Sequence, residues 1–159
     1  MKDTFNVKQI GIIRADDEGF RLELNKEYRE ALTGLEGFQY VNVLWWFSGC
    51  DTAAFRSKLT ETKPYTKGPD VLGAFAMRSP ERPNPIALSC AYVTYLDAEN
   101  GIIGLAYIDG EDGSPVLDIK PYMPSLDRVE NPVMPDWCSH WPRNVESGGD
   151  FNWEDEFNF

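Results

Sequence analysis

Ile86-Ala87-Leu88-Ser89-Cys90-Ala91-Tyr92-Val93-Thr94-Tyr95-Leu96 and Ile102-Ile103-Gly104-Leu105-Ala106-Tyr107-Ile108 are joined by Asp97-Ala98-Glu99-Asn100-Gly101. Two runs rich in β-branched and aromatic residues, separated by Asn-Gly, predict a β-hairpin. Upstream, Tyr40 to Phe47 reads as a further strand, and its near-continuous apolarity suggests burial on both faces. Residues 5–14 and 19–24 alternate around Asp16-Asp17-Glu18-Gly19, which predicts a second hairpin. Val71 to Met77 is another strand candidate. Asn25 can cap a short helix through Leu32, stopped by Gly34, whereas residues 48–70 read as a long irregular loop. The expected fold is mainly β: a small closed or partly closed β-barrel with one short helix and long loops, since closure removes exposed edges. The expected division is a barrel domain over residues 1–144 and an acidic, flexible tail over 145–159, which Phe151, Trp153, Phe157 and Phe159 are able to dock.

The chain of 159 residues is about one domain long, and its hydrophobic content of 42% excludes compositional disorder. No apolar run suits a signal peptide or a bilayer span, so no membrane association is expected. Cys50, Cys90 and Cys138 are odd in number and widely spaced, as free thiols in a reducing cytoplasm would be. A net charge of −11 argues against a general nucleic-acid binder. That charge is uneven: residues 145–159 hold five acids and no base, while residues 56–82 carry a net +3. A local basic surface and a merely solvated charged loop both fit the latter segment.

Several chemistries find no support. His140 is the single histidine, and Cys138-Ser139-His140 lacks the further ligands of a zinc site. Gly101-Ile102-Ile103-Gly104 is no phosphate loop, and Asp109-Gly110-Glu111-Asp112-Gly113 lacks calcium-loop spacing, so no metal is expected. Two segments read as more than connectors. In Met77-Arg78-Ser79-Pro80-Glu81-Arg82-Pro83-Asn84-Pro85-Ile86, three prolines within six residues exclude a central strand. They make a rigid arch that presents Arg78, Arg82 and Asn84, either to a carboxylate, phosphate or aromatic face or simply to local acids. In Ile108 to Tyr122, Gly110 and Gly113 permit close backbone approach beside several carboxylates, Lys120 and Tyr122. An acidic hairpin turn fits that segment equally.

Gly73-Ala74-Phe75-Ala76-Met77-Arg78-Ser79-Pro80-Glu81-Arg82-Pro83-Asn84-Pro85-Ile86 resembles a signature of the TsaA/TrmO-like family. So does Asp112-Gly113-Ser114-Pro115-Val116-Leu117-Asp118-Ile119-Lys120-Pro121-Tyr122, and the likeness extends over about residues 7–144. The resemblance implies a small β-barrel, usually a homodimer, that binds S-adenosylmethionine without a Rossmann unit. It implies methylation of N6 of threonylcarbamoyladenosine in tRNA. By motif, Phe47, Ser48, Gly49, Arg78, Leu88, Asp112, Gly113, Ser114 and Pro115 would bind the cofactor. Asp118, Lys120 and Tyr122 would stand close by, for orientation or substrate contact, and Arg82 and Asn84 would meet substrate; on chemical grounds, Asp109 or Asp118 is the candidate catalytic base.

Departures from the family pattern bear on the substrate. Many members have His where this chain has Ser48, and a Pro-Arg-Gln motif near the N-terminus is missing. Longer bacterial members carry a C-terminal domain not found here, and an acidic tail is a poor replacement for a tRNA-binding extension. Three functions are therefore weighed: a tRNA methyltransferase using residues 56–82 as its phosphate-facing surface, a methyltransferase for a smaller substrate, and a non-catalytic S-adenosylmethionine-binding module. Salt-sensitive tRNA binding separates the first from the others.

Overall fold

The computed structural model describes residues 3–159, and two compact units divide the chain: residues 1–49 with 85–127, and residues 50–84 with 128–159. The first unit is built from β1 (Gly11–Asp16), β2 (Gly19–Leu24), β3 (Tyr40–Trp46), β6 (Ile86–Asp97), β7 (Ile102–Leu105) and β8 (Pro115–Pro121). These close into a barrel in the order β1-β2-β7-β6-β3-β8. The second unit carries β4 (Thr60–Thr62) and β5 (Val71–Gly73), an antiparallel pair.

The opening hairpin forms as expected, with Leu96 opposite Ile103 and Asp97 opposite Ile102. Gly101 sits at φ 75°, the left-handed turn conformation that a side chain resists. Asp97 accepts from both the backbone and side-chain nitrogens of Asn100 and so braces the turn. Gly104 has a different reason to be glycine: the Tyr95 ring lies over it, and a Cβ there would stand 2.0 Å from that ring.

Alternation decides which face of each strand is inside. Val41, Val43 and Trp45 of β3 point inward with Ala87 and Ala91 of β6, Ile13 of β1, Leu22 of β2, Ile103 of β7 and Val116 of β8. The Trp45 indole N–H is satisfied within this core by the Ser89 hydroxyl at 2.9 Å. Burying each large aliphatic chain contributes roughly 1.5–3 kcal/mol before entropy is counted. The interior is thus filled with side chains, and ligands must bind at the rim or on the outer wall.

Several local expectations need correction. β1 begins at Gly11 rather than near residue 5, because Phe5 and Val7 find nothing to pack against and stay exposed. β3 buries one face fully and the other only in part, so its outward Asn42, Leu44 and Trp46 form a half-buried wall. Residues 48–70 are not irregular: they hold a 3-10 turn at Ser48–Cys50, α1 (Ala53–Arg56, capped by the Thr52 hydroxyl) and β4. The strand expected over Val71 to Met77 stops at Gly73 and passes into a 3-10 turn, Ala74–Ala76. The helix after Asn25 is a 3-10 helix, Lys26–Leu32, and the Asn25 side chain donates to the Gln9 carbonyl instead of capping it. Other helical turns are single ones, including α2 (Pro124–Asp127) and α3 (Val145–Gly148).

The second unit is packed by aromatic rings. Tyr65 stacks on Trp137 at 5.3 Å and meets Trp141 edge-on at 5.1 Å, while Trp153 stacks on Phe157 at 5.7 Å. Residues 156–158 run beside 63–66: Thr66 N–H donates to the Glu156 carbonyl, and Asn158 N–H donates to that of Pro64. Glu156 is only 6% exposed. Its carboxylate accepts from the Trp141 indole at 3.0 Å and lies 2.7 Å from His140 Nε2. The Trp141 bond first, then His140, with Lys67 as a weaker influence, holds this carboxyl below the usual range.

A depressed carboxyl adds stability above its unfolded pKa and loses it as pH falls through the folded one. Replacing Glu156 with Gln is expected to lower the melting temperature at neutral pH. The same change should flatten its decline as the pH falls below the ordinary glutamate range, measured by calorimetry at stepped pH. An unchanged acid slope would show that this carboxylate does not anchor the segment.

Candidate functional site

The sequence candidates fall into three places. The first is the barrel rim. Ile108 is buried in the core, and the chain then turns through Asp109 to Ser114 before entering β8. Gly110 lies so close to Ile13 that a Cβ would sit 2.5 Å from its Cδ1. Gly113 adopts φ 83° with open space where a Cβ would be, and its N–H donates to the Ile13 carbonyl at 2.8 Å. Ser114 is buried, donates its N–H to Glu111 O and accepts from Ile13 N–H at 2.9 Å. Asp112 accepts from Ala15 N–H at 3.1 Å and pairs with Arg14 at 3.5 Å, which ties the loop to the β1–β2 hairpin.

Asp109 is solvent-accessible yet closely surrounded by protein, and that desolvation pushes its carboxyl up from the ordinary aspartate value. The neighbouring Tyr107 hydroxyl is raised for the same reason first, and by the Asp109 charge second. A carboxyl that keeps its proton more readily is also a stronger base once that proton is lost.

The register brings the end of β3 to this rim. Trp45 pairs with Val116 and Trp46 with Ile86, so Phe47, Ser48 and Gly49 leave the barrel at the edge where Ser114 and Pro115 enter it. Phe47 N–H donates to the Pro85 carbonyl at 2.9 Å, and its ring packs on Trp45 at 4.6 Å. Ser48 and Gly49 are exposed.

The outer wall is the second place. Leu44 pairs with Leu88 on one side and Asp118 on the other, so one rung carries two candidates that lie thirty residues apart in sequence. Asn42 pairs with Cys90 and Lys120 in the next outward rung, and Tyr40 packs edge-on with both Tyr92 and Tyr122. Leu88 is 48% exposed. Lys120 Nζ lies 2.8 Å from the Asp118 carboxylate, which raises the lysine; Asp118 also accepts from Ile119 N–H. Sequence reasoning missed Leu44 and Trp46 as the floor of this wall, although strict alternation against Val43 and Trp45 would have found them.

The third place is the arch in the other unit. The Arg82 guanidinium is turned onto its own chain and donates to Ala74 O at 2.5 Å and Met77 O at 2.7 Å. Asn84 accepts from Arg56, whose Nε also donates to the Pro83 carbonyl at 2.9 Å. Lys58 bridges Glu61 and Glu81. Arg78 is exposed on the same arch. A separate groove of about 280 Å³ in the barrel unit, between residues 35–39 and 93–96, includes none of these candidates. Among the described residues, no group of three His, Cys, Asp or Glu stands close enough to hold a metal, and no helix is long and apolar enough to cross a membrane.

A closed six-stranded barrel with a filled interior leaves its acidic rim and outer wall as the surfaces open to a ligand. The chain matches the tRNA-methyltransferase O N-terminal domain family over residues 8–128, and it belongs to that family. It is 35% identical to the S-adenosyl-L-methionine-binding protein of Archaeoglobus fulgidus over 116 residues, which cover 73% of this chain and 78% of that protein. It is 32% identical to the tRNA (adenine(37)-N6)-methyltransferase of Escherichia coli, covering 77% of this chain but 53% of that enzyme. The crystal structure of TrmO from Pseudomonas aeruginosa superposes with a TM-score of 0.60 at 30% identity, over 82% of this chain and 62% of that one. This chain therefore spans between half and two thirds of the length of those two proteins.

Gly113 tests how far the rim depends on backbone shape rather than on side chains. Changing it to Ala is expected to cost about 1 kcal/mol through the left-handed φ alone, and Gly113→Asn less, since Asn tolerates that conformation. Urea unfolding of both variants checks the order. Equal losses would indicate that something other than φ restricts this position.

Proposed function

We propose that this chain is an S-adenosylmethionine-dependent methyltransferase acting on N6 of a modified adenine in tRNA, most specifically threonylcarbamoyladenosine. The observation that carries the reading is the rim: an acid-rich, glycine-opened loop that holds a partly desolvated Asp109 and leads into the strands that carry the half-buried wall of Leu44 and Leu88. The donor chemistry fits the cofactor. Carboxylates suit a sulfonium, open backbone at Gly113 suits close approach, and the half-buried wall suits a flat or aliphatic portion. The cofactor supplies an electrophilic methyl group. Phe47, Ser48, Gly49, Leu88 and Asp112 to Pro115 would hold it in the barrel unit. Arg78 is proposed, from its motif, as a partner of the cofactor's carboxylate.

The chain's own work is positioning and proton removal. An N6 that carries a carbonyl substituent is a weak nucleophile until it loses its proton, and Asp109 is the proposed acceptor of that proton. Asp118 is held by Lys120 and its neighbouring N–H, which suits it to orient substrate with Tyr122. Arg82 and Asn84 are spent on fixing the arch, which favours a positioning role for both. Exposed Tyr92 and Leu88 on the outer wall support a homodimer across that wall, and a tRNA substrate would be met in the cytoplasm.

A second reading draws on the Archaeoglobus relative, which is named for binding S-adenosyl-L-methionine. On that reading the chain binds the cofactor and transfers nothing. Calorimetry with S-adenosylmethionine, followed by methyl transfer to tRNA, separates the two. The wild type is expected to bind and to methylate, and Arg78→Ala to lose binding. Asp109→Asn should keep the affinity but lose about 10²–10⁴-fold in turnover. Because Asp109 is raised, the wild-type rate should fall with decreasing pH from above the ordinary aspartate range. Binding without any turnover would support the second reading; no binding would remove both.

A further inference from the structure

Phe75 is 88% exposed although it stands between two residues that are fixed in the interior, Ala74 and Met77. The turn that carries it is a 3-10 turn, Ala74–Ala76, entered from β5 through extended Gly73 and left through extended Met77. Met77 N–H closes it onto the Ala74 carbonyl at 3.4 Å. The same Ala74 carbonyl, with that of Met77, takes two hydrogen bonds from the Arg82 guanidinium, whose Nε is buried and finds no partner among the described residues. A half-buried charged side chain thus fixes the turn that holds a phenyl ring in solvent, at the cost of one buried, unsatisfied nitrogen.

Exposed apolar residues are common singly, and the loose terminal Phe5 and Phe159 need no account. Phe75 differs in being rigidly mounted. Its neighbours along the turn are alanines, and exposed Leu59, whose carbonyl accepts from Ala74 N–H, stands just before β4. Arg78 follows three residues later, exposed on the same proline-stiffened arch. A fixed aromatic ring close in sequence to a guanidinium is the combination by which a flat base is stacked and an adjacent negative charge is met. Three prolines and the Arg82 clasp hold the pair ready, so little ordering remains to be done on binding.

We propose that Phe75 is a stacking platform for an adenine ring, and that Arg82 is the positioning residue that aims it. This rests on the function proposed above, which brings two adenines to the protein, one in the cofactor and one in the tRNA. The chemistry is shared, and the affinities distinguish the sources.

The test uses the full chain with Phe75→Leu, Phe75→Trp and Arg82→Lys. S-adenosylmethionine affinity is measured by calorimetry, and kcat and KM with tRNA by methyl transfer. Phe75→Leu keeps bulk and apolarity but has no π-face, and the exposure of the site predicts an unchanged melting temperature. If the platform serves the cofactor, Phe75→Leu weakens its binding about tenfold or more while Phe75→Trp restores it. If it serves the nucleotide, cofactor affinity holds and KM for tRNA rises by a similar factor, again with rescue by Trp. Arg82→Lys should reproduce whichever loss is seen, and combining it with Phe75→Leu should add little, since both act on one ring. Wild-type affinity and KM in Phe75→Leu, or equal losses in Leu and Trp, would overturn the inference while leaving the methyltransferase reading intact. A wild-type protein that binds neither cofactor nor tRNA would overturn both.

Discussion

β8 is hydrogen-bonded on both of its edges, and the barrel unit depends on that. Val116 pairs with Gly11 of β1 and with Trp45 of β3, so a single residue stitches the first strand of the chain to the third. Without the seam, the sheet would end in two exposed edges and the inward faces of β1 and β3 would have no wall between them. The seam also shapes the outer surface. Between Leu44 and Trp45 the register shifts, so that Leu117 is the extra residue opposite the neighbouring strand. A bulge of this kind bends a strand and re-aims the side chains after it. Here it leaves Asp118 and Lys120 outward beside Leu44 and Asn42, while Ile119 still packs on the core.

The seam accounts for the tight fit of the rim. Gly11 lies so close to β2 that a Cβ would meet the Glu23 carbonyl at 2.4 Å, and only glycine lets the strands approach there. Ile13 then receives the rim loop from above, with its N–H and C=O engaged by Ser114 and Gly113 and its side chain against Gly110. The acidic residues of the loop are held out toward solvent by these backbone anchors rather than by one another. Asp112 is the exception, drawn sideways to Arg14 and Ala15.

Much of this was legible from residue pattern, and the gaps have physical causes. The hairpin around Asn100-Gly101 and the strand over residues 40–46 announce themselves through local propensity and alternation. β8 was harder to see, because its alternation from Val116 to Lys120 is short and begins and ends in proline. Its role as a seam is a long-range fact. The grouping of Leu88 with Asp118 was not readable either, since it depends on both having Leu44 as partner. The segment over 48–70 looked irregular because its elements are only three or four residues long, too brief for a period to show. The direction of Arg82 could not be foreseen: a proline-rich arch leaves carbonyls without local donors, and which of them an arginine serves is settled by packing. The family signatures supplied what the pattern did not, namely which ligand such a rim and wall would serve.

The pairing of residues 156–158 with 63–66 has a consequence for how the protein comes into being on a ribosome. The barrel's last strand has been made once Pro121 is added, but the aromatic packing of the other unit awaits Trp137, Trp141, Trp153 and Phe157, together with the buried Glu156. Residues 63–66 are synthesised early and then stand without these partners until residues 137–158 have left the exit tunnel. Chain growth at about 5–20 residues per second makes this an interval of several seconds. During that interval Tyr65 lacks the rings that later cover it. Vectorial synthesis therefore lets the barrel strands be complete before the aromatic cluster around Tyr65 can close.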